Sequence, residues 1–386
     1  MKITKFVVAS ATALAAGTVG AMAADLPAFE PVEYVQIEDA YGAGFFIIPG
    51  TETALKIGGR ARIEGRIHDA TDIKRDEKEF NARARFNLRI DARTQSELGL
   101  IRTYGDFELM TNSQQAVSTN LVHGYIQIGG LLVGKTTTSL DFYTGDLSSN
   151  TVDRNRSDTE VWQANYTYAL GNGLSITAGI EDNAARARGV DYTAGGDPEF
   201  AGNGIPNFTA ALRGKYGWGQ FGIGAASNTI RSLYGEYDSQ MGFAVLGAVT
   251  FNMGMIAPGD RVSFQAAYVD GAMGYVNSNE ADAAVDAAGK IGTNKGWMVG
   301  GGLKHHWTET LSSGFDGTYF NVDHAVDGED YSRYAMGATL EYRPVQDLLF
   351  SVGVGYADTR YDNKVLANGK DSEDELAVNF RVERTF

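Results

Sequence analysis

Between residues 80 and 93 the chain sets Phe80, Ala82, Ala84, Phe86, Leu88 and Ile90 on one parity and Asn81, Arg83, Arg85, Asn87, Arg89, Asp91 and Arg93 on the other. Successive side chains of a strand point to opposite faces, so this period of two specifies a strand with one apolar and one charged face. Residues 54–68 repeat the pattern, with Leu55, Ile57, Ala61, Ile63 and Ile67 against Lys56, Arg60, Arg62, Glu64, Arg66 and His68. A charged face this long and this basic suits the wet interior of a closed sheet whose outer face meets lipid, because every backbone group is then paired around the ring.

The same alternation predicts further strands near 100–110, 121–128, 131–138, 161–170, 174–182, 207–216, 220–227, 241–252 and 261–270. The last five fall near 296–306, 310–322, 332–343, 347–358 and 375–386. The fold class is therefore all-β, a transmembrane antiparallel β-barrel of about 16 strands. The connections alternate in length. Short ones such as Gly129-Gly130, Gly171-Asn172-Gly173, Gly217-Trp218-Gly219 and Pro344-Val345-Gln346 carry the residues that tight turns need. Long ones lie at 69–79, 111–120, 139–160, 183–206, 228–240, 271–295, 323–331 and 359–374. Barrels of the bacterial outer membrane keep short turns in the periplasm and long loops outside, which puts both ends of this chain in the periplasm.

The two ends agree with that reading. Lys2 and Lys5 precede an apolar run from Phe6 to Met22 that closes on Ala21-Met22-Ala23, a small-x-small cleavage pattern. Residues 1–23 are expected to be a signal peptide removed after Ala23. Residues 24–53 form an N-terminal extension on the periplasmic side, and 54–386 the barrel. The last strand places Leu376, Val378, Phe380, Val382, Arg384 and Phe386 on one face. Phe380, Val382 and the terminal Phe386 resemble the signal by which the barrel-assembly machinery reads outer-membrane proteins. Arg384 sits on the lipid face two residues from the end, where an interfacial arginine costs only about 0–1 kcal/mol.

Composition narrows the function. The chain has 33 basic and 48 acidic residues, and loss of Lys2 and Lys5 takes the net charge from −15 to −17, which argues against a nucleic-acid partner. With no cysteine, disulfides, thiol catalysis and thiolate metal sites are out. No nucleophile–base pair can be assembled, so an outer-membrane enzyme is disfavoured. Gly222-Ile223-Gly224 lacks the glycine spacing of a nucleotide site. Adjacent His305 and His306 should point to opposite faces of a strand and share no metal. Asp371, Glu373, Asp374 and Glu375, like Asp282 and Asp286, read first as solvated loop acids. No cofactor and no metal is expected.

Residues 33–59, EYVQIEDAYGAGFFIIPGTETALKIGG, resemble the N-terminal block of the alphaproteobacterial porins of the Brucella and Rhizobium type. The likeness extends to Leu140-Asp141-Phe142-Tyr143 and to the last strand. It implies a trimeric, sixteen-stranded, water-filled channel for small hydrophilic solutes, in contact with outer-membrane lipid and lipopolysaccharide, whose third long loop folds inward. Many members carry cysteines at the positions of Glu38 and Ala54; this chain has neither, so no bridge ties down its extension. On that likeness the pore constriction is expected to set Arg60, Arg62, Arg83 and Arg85 against Asp141, Asp146, Asp153, Asp158 and Glu160 of the third loop, an arrangement that makes a transverse field. The alternative is a sugar-specific channel, for which Tyr104 and Tyr125 are the lumen aromatics.

Overall fold

The computed structural model describes residues 36–37, 40–68, 70, 80–113, 115–148, 152–192, 197–202, 204–286, 288–326, 329–362 and 371–386. The expected signal peptide, with Ala21 and Ala23, lies outside the described residues, as does most of the first long loop.

Sixteen antiparallel strands close into one barrel. They are Ala54–Ile67 (β1), Phe80–Ser96 (β2), Gly99–Asn112 (β3), Ser118–Ile128 (β4), Leu131–Thr137 (β5), Glu160–Gly171 (β6), Leu174–Glu181 (β7) and Asn207–Tyr216 (β8). The second half comprises Gly219–Ile230 (β9), Gln240–Asn252 (β10), Arg261–Asp270 (β11), Lys295–His306 (β12), Leu311–Asp323 (β13), Tyr331–Val345 (β14), Leu348–Tyr361 (β15) and Ser372–Thr385 (β16). Each strand pairs with its sequence neighbours, and β16 returns to β1 in register from Val378↔Ile67 to Thr385↔Arg60. Closure removes every sheet edge, the condition for strands to cross lipid.

The outer face is apolar at mid-height and aromatic at its rims. Ile57, Ile63, Phe86, Ile223, Val245 and Val299 stand exposed on it. At the short-turn rim Trp218 packs between Tyr216 and Phe251, with ring centroids 5.7 and 5.5 Å away. At the long-loop rim Phe243 meets Tyr268 and Trp297 meets Tyr319. Two aromatic girdles around an apolar band match a membrane slab and its two interfaces.

The seam is finished by the last residue. Phe386 N–H donates to Gly59 O at 3.0 Å and Gly59 N–H to Phe386 O at 2.9 Å. The Phe386 ring covers Gly59, where a Cβ would come within 2.7 Å of the ring, and stacks on Phe86 at 6.0 Å. An aromatic ring over a strand glycine fills a gap that would otherwise expose backbone. Arg384, outward and exposed, donates to Gln346 O in the adjacent short turn at 2.5 Å, so its charge is satisfied at the interface.

The N-terminal extension is held by backbone and rings. Phe46–Ile47 pairs with both Gln36–Ile37 and the start of β1. Phe45 is buried beneath the Arg93 guanidinium, 4.7 Å from its ring, and Lys56 donates to Ala43 O at 2.9 Å. The connection from β10 to β11 spans 253–260, and Met253 N–H to Asp260 O at 2.8 Å closes it.

Candidate functional site

Strand alternation aims the arginines of β1, β2, β3 and β16 at the lumen, where the barrel's own carboxylates hold them. Glu64, fully buried, takes Arg83 and Arg381, each at 2.6 Å. Glu383 takes Arg62 at 2.5 Å and stands 4.0 Å from Arg60, which also donates to Asn87 Oδ1 at 3.0 Å. Glu108 lies 3.7 Å from Arg85, Asp106 2.8 Å from Arg89, and Asp91 serves Arg93 and Arg102 at 2.9 and 2.8 Å. The result is a wall of eight arginines fixed by five carboxylates, three of them shared, so its field is positive but much weaker than the arginine ladder alone suggests.

Opposite this wall lies the third long loop, whose described residues 138–148 and 152–159 fold into the barrel. Its docking groups are ones that the sequence pattern does not single out. Arg154 and Arg156 both reach Asp316, a fully buried lumen residue of β13, with Arg156 Nη1 at 3.4 Å. Tyr143 Oη–H donates to Asp146 Oδ2 at 2.7 Å, Asp146 N–H donates to Asp316 Oδ2 at 3.2 Å, and Arg261 of β11 pairs with the Asp146 carboxylate. Arg333 of β14 donates to Asp153 O and Asn155 Oδ1 at 2.7 and 3.1 Å. The wall makes room with small residues: a Cβ at Gly302 would lie 2.0 Å from Tyr143 Oη, and one at Gly314 2.2 Å from Asp146 O. Near the start of the loop, Leu140 and Phe142 lie over β9, and Arg213 stacks on Phe142 at 4.6 Å.

Two further loops fold inward, which the sequence pattern does not predict. Met273, Tyr275 and Val276 of the sixth long loop (271–294) are fully buried in one core with Leu140, Leu246, Met298 and Phe320. Arg186 of the fourth long loop (182–206) is fully buried where three loops meet. It donates to Gly274 O at 2.9 Å, to Thr159 Oγ1 and Ser157 Oγ at 3.1 Å each, and lies 4.4 Å over the Tyr275 ring. Asp141 accepts from the Ser157 hydroxyl and, at 2.8 Å, from Thr159 N–H. Burial pushes its carboxyl up to about 6, against the pull of Arg186. The open part of the lumen is thus confined between the docked loop and the arginine wall.

The five acids expected to line the constriction therefore divide. Asp141 and Asp146 are buried: Asp141 ties the loop's two ends together, and Asp146 fixes the loop to Arg261 of β11. Asp153 is exposed and close enough to act on Arg66 across the channel. Asp158 is exposed on the loop, yet enough protein surrounds it that desolvation raises its pKa, with Glu160 adding to the rise. Glu160 opens β6 on the same parity as Trp162, opposite Thr137, and so faces outward, away from the lumen. His305 and His306 also depart from expectation: both rings reach Asp260, with Nδ1 at 2.6 and 3.2 Å, because the strand ends there and the turn carrying Asp260 sits beneath both. Tyr104 and Tyr125 stack 5.4 Å apart beside Arg102. The anchors had one visible signal, the small residues at lumen positions of β12 and β13, where Gly300, Gly302, Ser312 and Gly314 surround the lone Asp316.

Comparison with known proteins agrees with this geometry. The family model described as "Porin subfamily" matches residues 25–381. Porin Omp2b of Brucella canis is 30% identical over 373 residues, covering 92% of each chain. Among solved structures, the outer membrane channel DcaP of Acinetobacter baumannii superposes with a TM-score of 0.69 at 18% identity, over 86% of this chain and 97% of that one. The trimer form of OmpT of Vibrio cholerae gives 0.54 at 11% identity, over 87% and 100%.

Proposed function

This chain belongs to the porin family and forms a channel through the bacterial outer membrane, and from that premise we propose that its constriction is the slot between the arginine wall and the docked third loop. A channel rather than an enzyme is what the family implies. The observation that carries the proposal is the anchoring of Arg154 and Arg156 on Asp316, with Tyr143 and Asp146 packed over Gly302 and Gly314. It holds the loop across the lumen as a fixed obstacle. Small hydrophilic solutes pass by diffusion, limited by width and by the residual charge of the walls.

Eight paired wall arginines and Arg66, against five wall carboxylates and Asp153 and Asp158 on the loop, leave a small positive balance at the slot. One charge ~10 Å from an ion in water is worth about 0.4 kcal/mol, and physiological salt screens beyond about 8 Å. Selectivity is therefore weak and toward anions, with a permeability ratio below about fivefold. A reversal potential in asymmetric KCl tests this; a cation-selective channel would contradict it. Tyr104 and Tyr125 make a single pair, not a run, and so lend no support to a sugar slide.

The trimer form known for OmpT supports reading this chain as a homotrimer as well. Unboiled protein should then run as a high-mass band that collapses on boiling. Export through residues 1–23 with cleavage after Ala23, recognition of Phe380, Val382 and Phe386 by the assembly machinery, and contact of the girdles with lipid and lipopolysaccharide complete the proposal.

A further inference from the structure

Beyond the channel, four side chains from three long loops converge at the long-loop end of the barrel. Asp191 of the fourth loop and His324 and Glu329 of the seventh (324–330) each offer one ligand atom, all within 4.8 Å of one another. His324 is nearly enclosed, its side chain 2% exposed. Glu329 Oε2 stands 3.2 Å from His324 Nδ1, and Glu280 Oε1 of the sixth loop stands 3.4 Å from Nε2.

Nδ1 faces both Val326 N–H, at 3.1 Å, and the Glu329 carboxylate, so an ion that ligates Nδ1 takes the lone pair from the Val326 N–H. On a neutral ring Nδ1 and the Glu329 carboxylate are two acceptors that repel, and either a proton on the ring or a metal ion joins them. A second observation concerns the other ring nitrogen. Nε2 is buried and makes no hydrogen bond, while Glu280 is near enough to orient it by taking its proton. A carboxylate on the outer nitrogen of a ligating histidine is the usual way such a ring is held.

We propose that Asp191, His324 and Glu329 form a binding site for a divalent transition metal such as Zn²⁺, with Glu280 as the positioning residue. An imidazole with carboxylates favours zinc over calcium or magnesium, which prefer all-oxygen shells. The bound ion joins the fourth loop directly to the seventh, and through Glu280 to the sixth.

The test is calorimetric titration of folded, chelator-treated protein in detergent with ZnCl2, alongside the absorption spectrum of the Co²⁺ form. One ion per chain is expected, with affinity falling about tenfold or more in His324→Ala and in Glu329→Gln. Glu329→Gln keeps the side-chain volume, so it decides the matter if His324→Ala fails to give a heat-modifiable band. Wild-type protein that binds no Zn²⁺ would overturn the proposal. So would binding unchanged in Glu329→Gln, or binding lost instead in His305→Ala/His306→Ala. Ca²⁺ binding as tight as Zn²⁺ and indifferent to His324 would also overturn it, as the mark of a plain acidic surface.

Discussion

Glu64 concentrates the electrostatics of the lumen wall in one residue, because its buried carboxylate holds both Arg83 and Arg381. Glu64→Gln leaves two neighbouring guanidinium groups without that counter-ion, and breaking such a buried pair costs about 3 kcal/mol. A lower midpoint in urea unfolding of the detergent-solubilised protein is the expected result, together with a reversal potential moved toward anions. An unchanged midpoint would mean that water in the lumen already screens the pair. Asp158 answers a different question, because it carries charge in the slot without anchoring anything. Desolvation raises its pKa, so it takes up a proton at a pH above the ordinary carboxylate value of about 4. As pH falls toward that range the loop loses negative charge at Asp158, and selectivity should drift further toward anions. Asp158→Asn should remove most of the drift. Asp141 and Asp146 behave otherwise: neutralising them loosens the loop, and the readout is unstable conductance rather than a clean shift in selectivity.

At the scale of elements, the third loop is held by shape as much as by charge. Gly302→Leu sets a side chain where Tyr143 Oη now lies, and Gly314→Leu does the same at Asp146 O. Either change should lift the loop from β12 and β13 and raise single-channel conductance while the barrel still forms, as a heat-modifiable band would show. Conductance equal to wild type would mean that the loop repacks in place. The strands themselves were legible in the sequence to within about three residues at each end. Their pleated backbone turns successive side chains alternately to lipid and to water, and no tertiary contact overrides that alternation. Loop docking was not legible in the same way. Arg154 and Arg156 lie 160 and more residues before Asp316 in sequence, and nothing local says that they meet it. Glu160 was misplaced for a related reason: a one-residue difference in where β6 begins decides which face it takes. The shared carboxylates of the arginine wall were visible as letters on the lumen parity, but their pairing depends on the stagger between strands.

Across the whole molecule, one residue completes the ring. Phe386 joins β16 to β1 through two backbone hydrogen bonds and covers Gly59 with its ring. Phe386→Ala should reduce the folded protein recovered from outer membranes and increase periplasmic degradation, and normal recovery would count against this role. The barrel, its girdles and its closed seam define a pore, and the docked loop sets its width. The most direct measurement is therefore single-channel conductance of a variant in which residues 144–153 are replaced by a short Gly-Ser link, compared with wild type in the same salt. If the third loop forms the constriction, the variant conducts more, and its selectivity weakens because the slot has lost one wall. If conductance is unchanged, the loop does not narrow the channel, and the arginine wall lines a wider pore whose limit lies elsewhere.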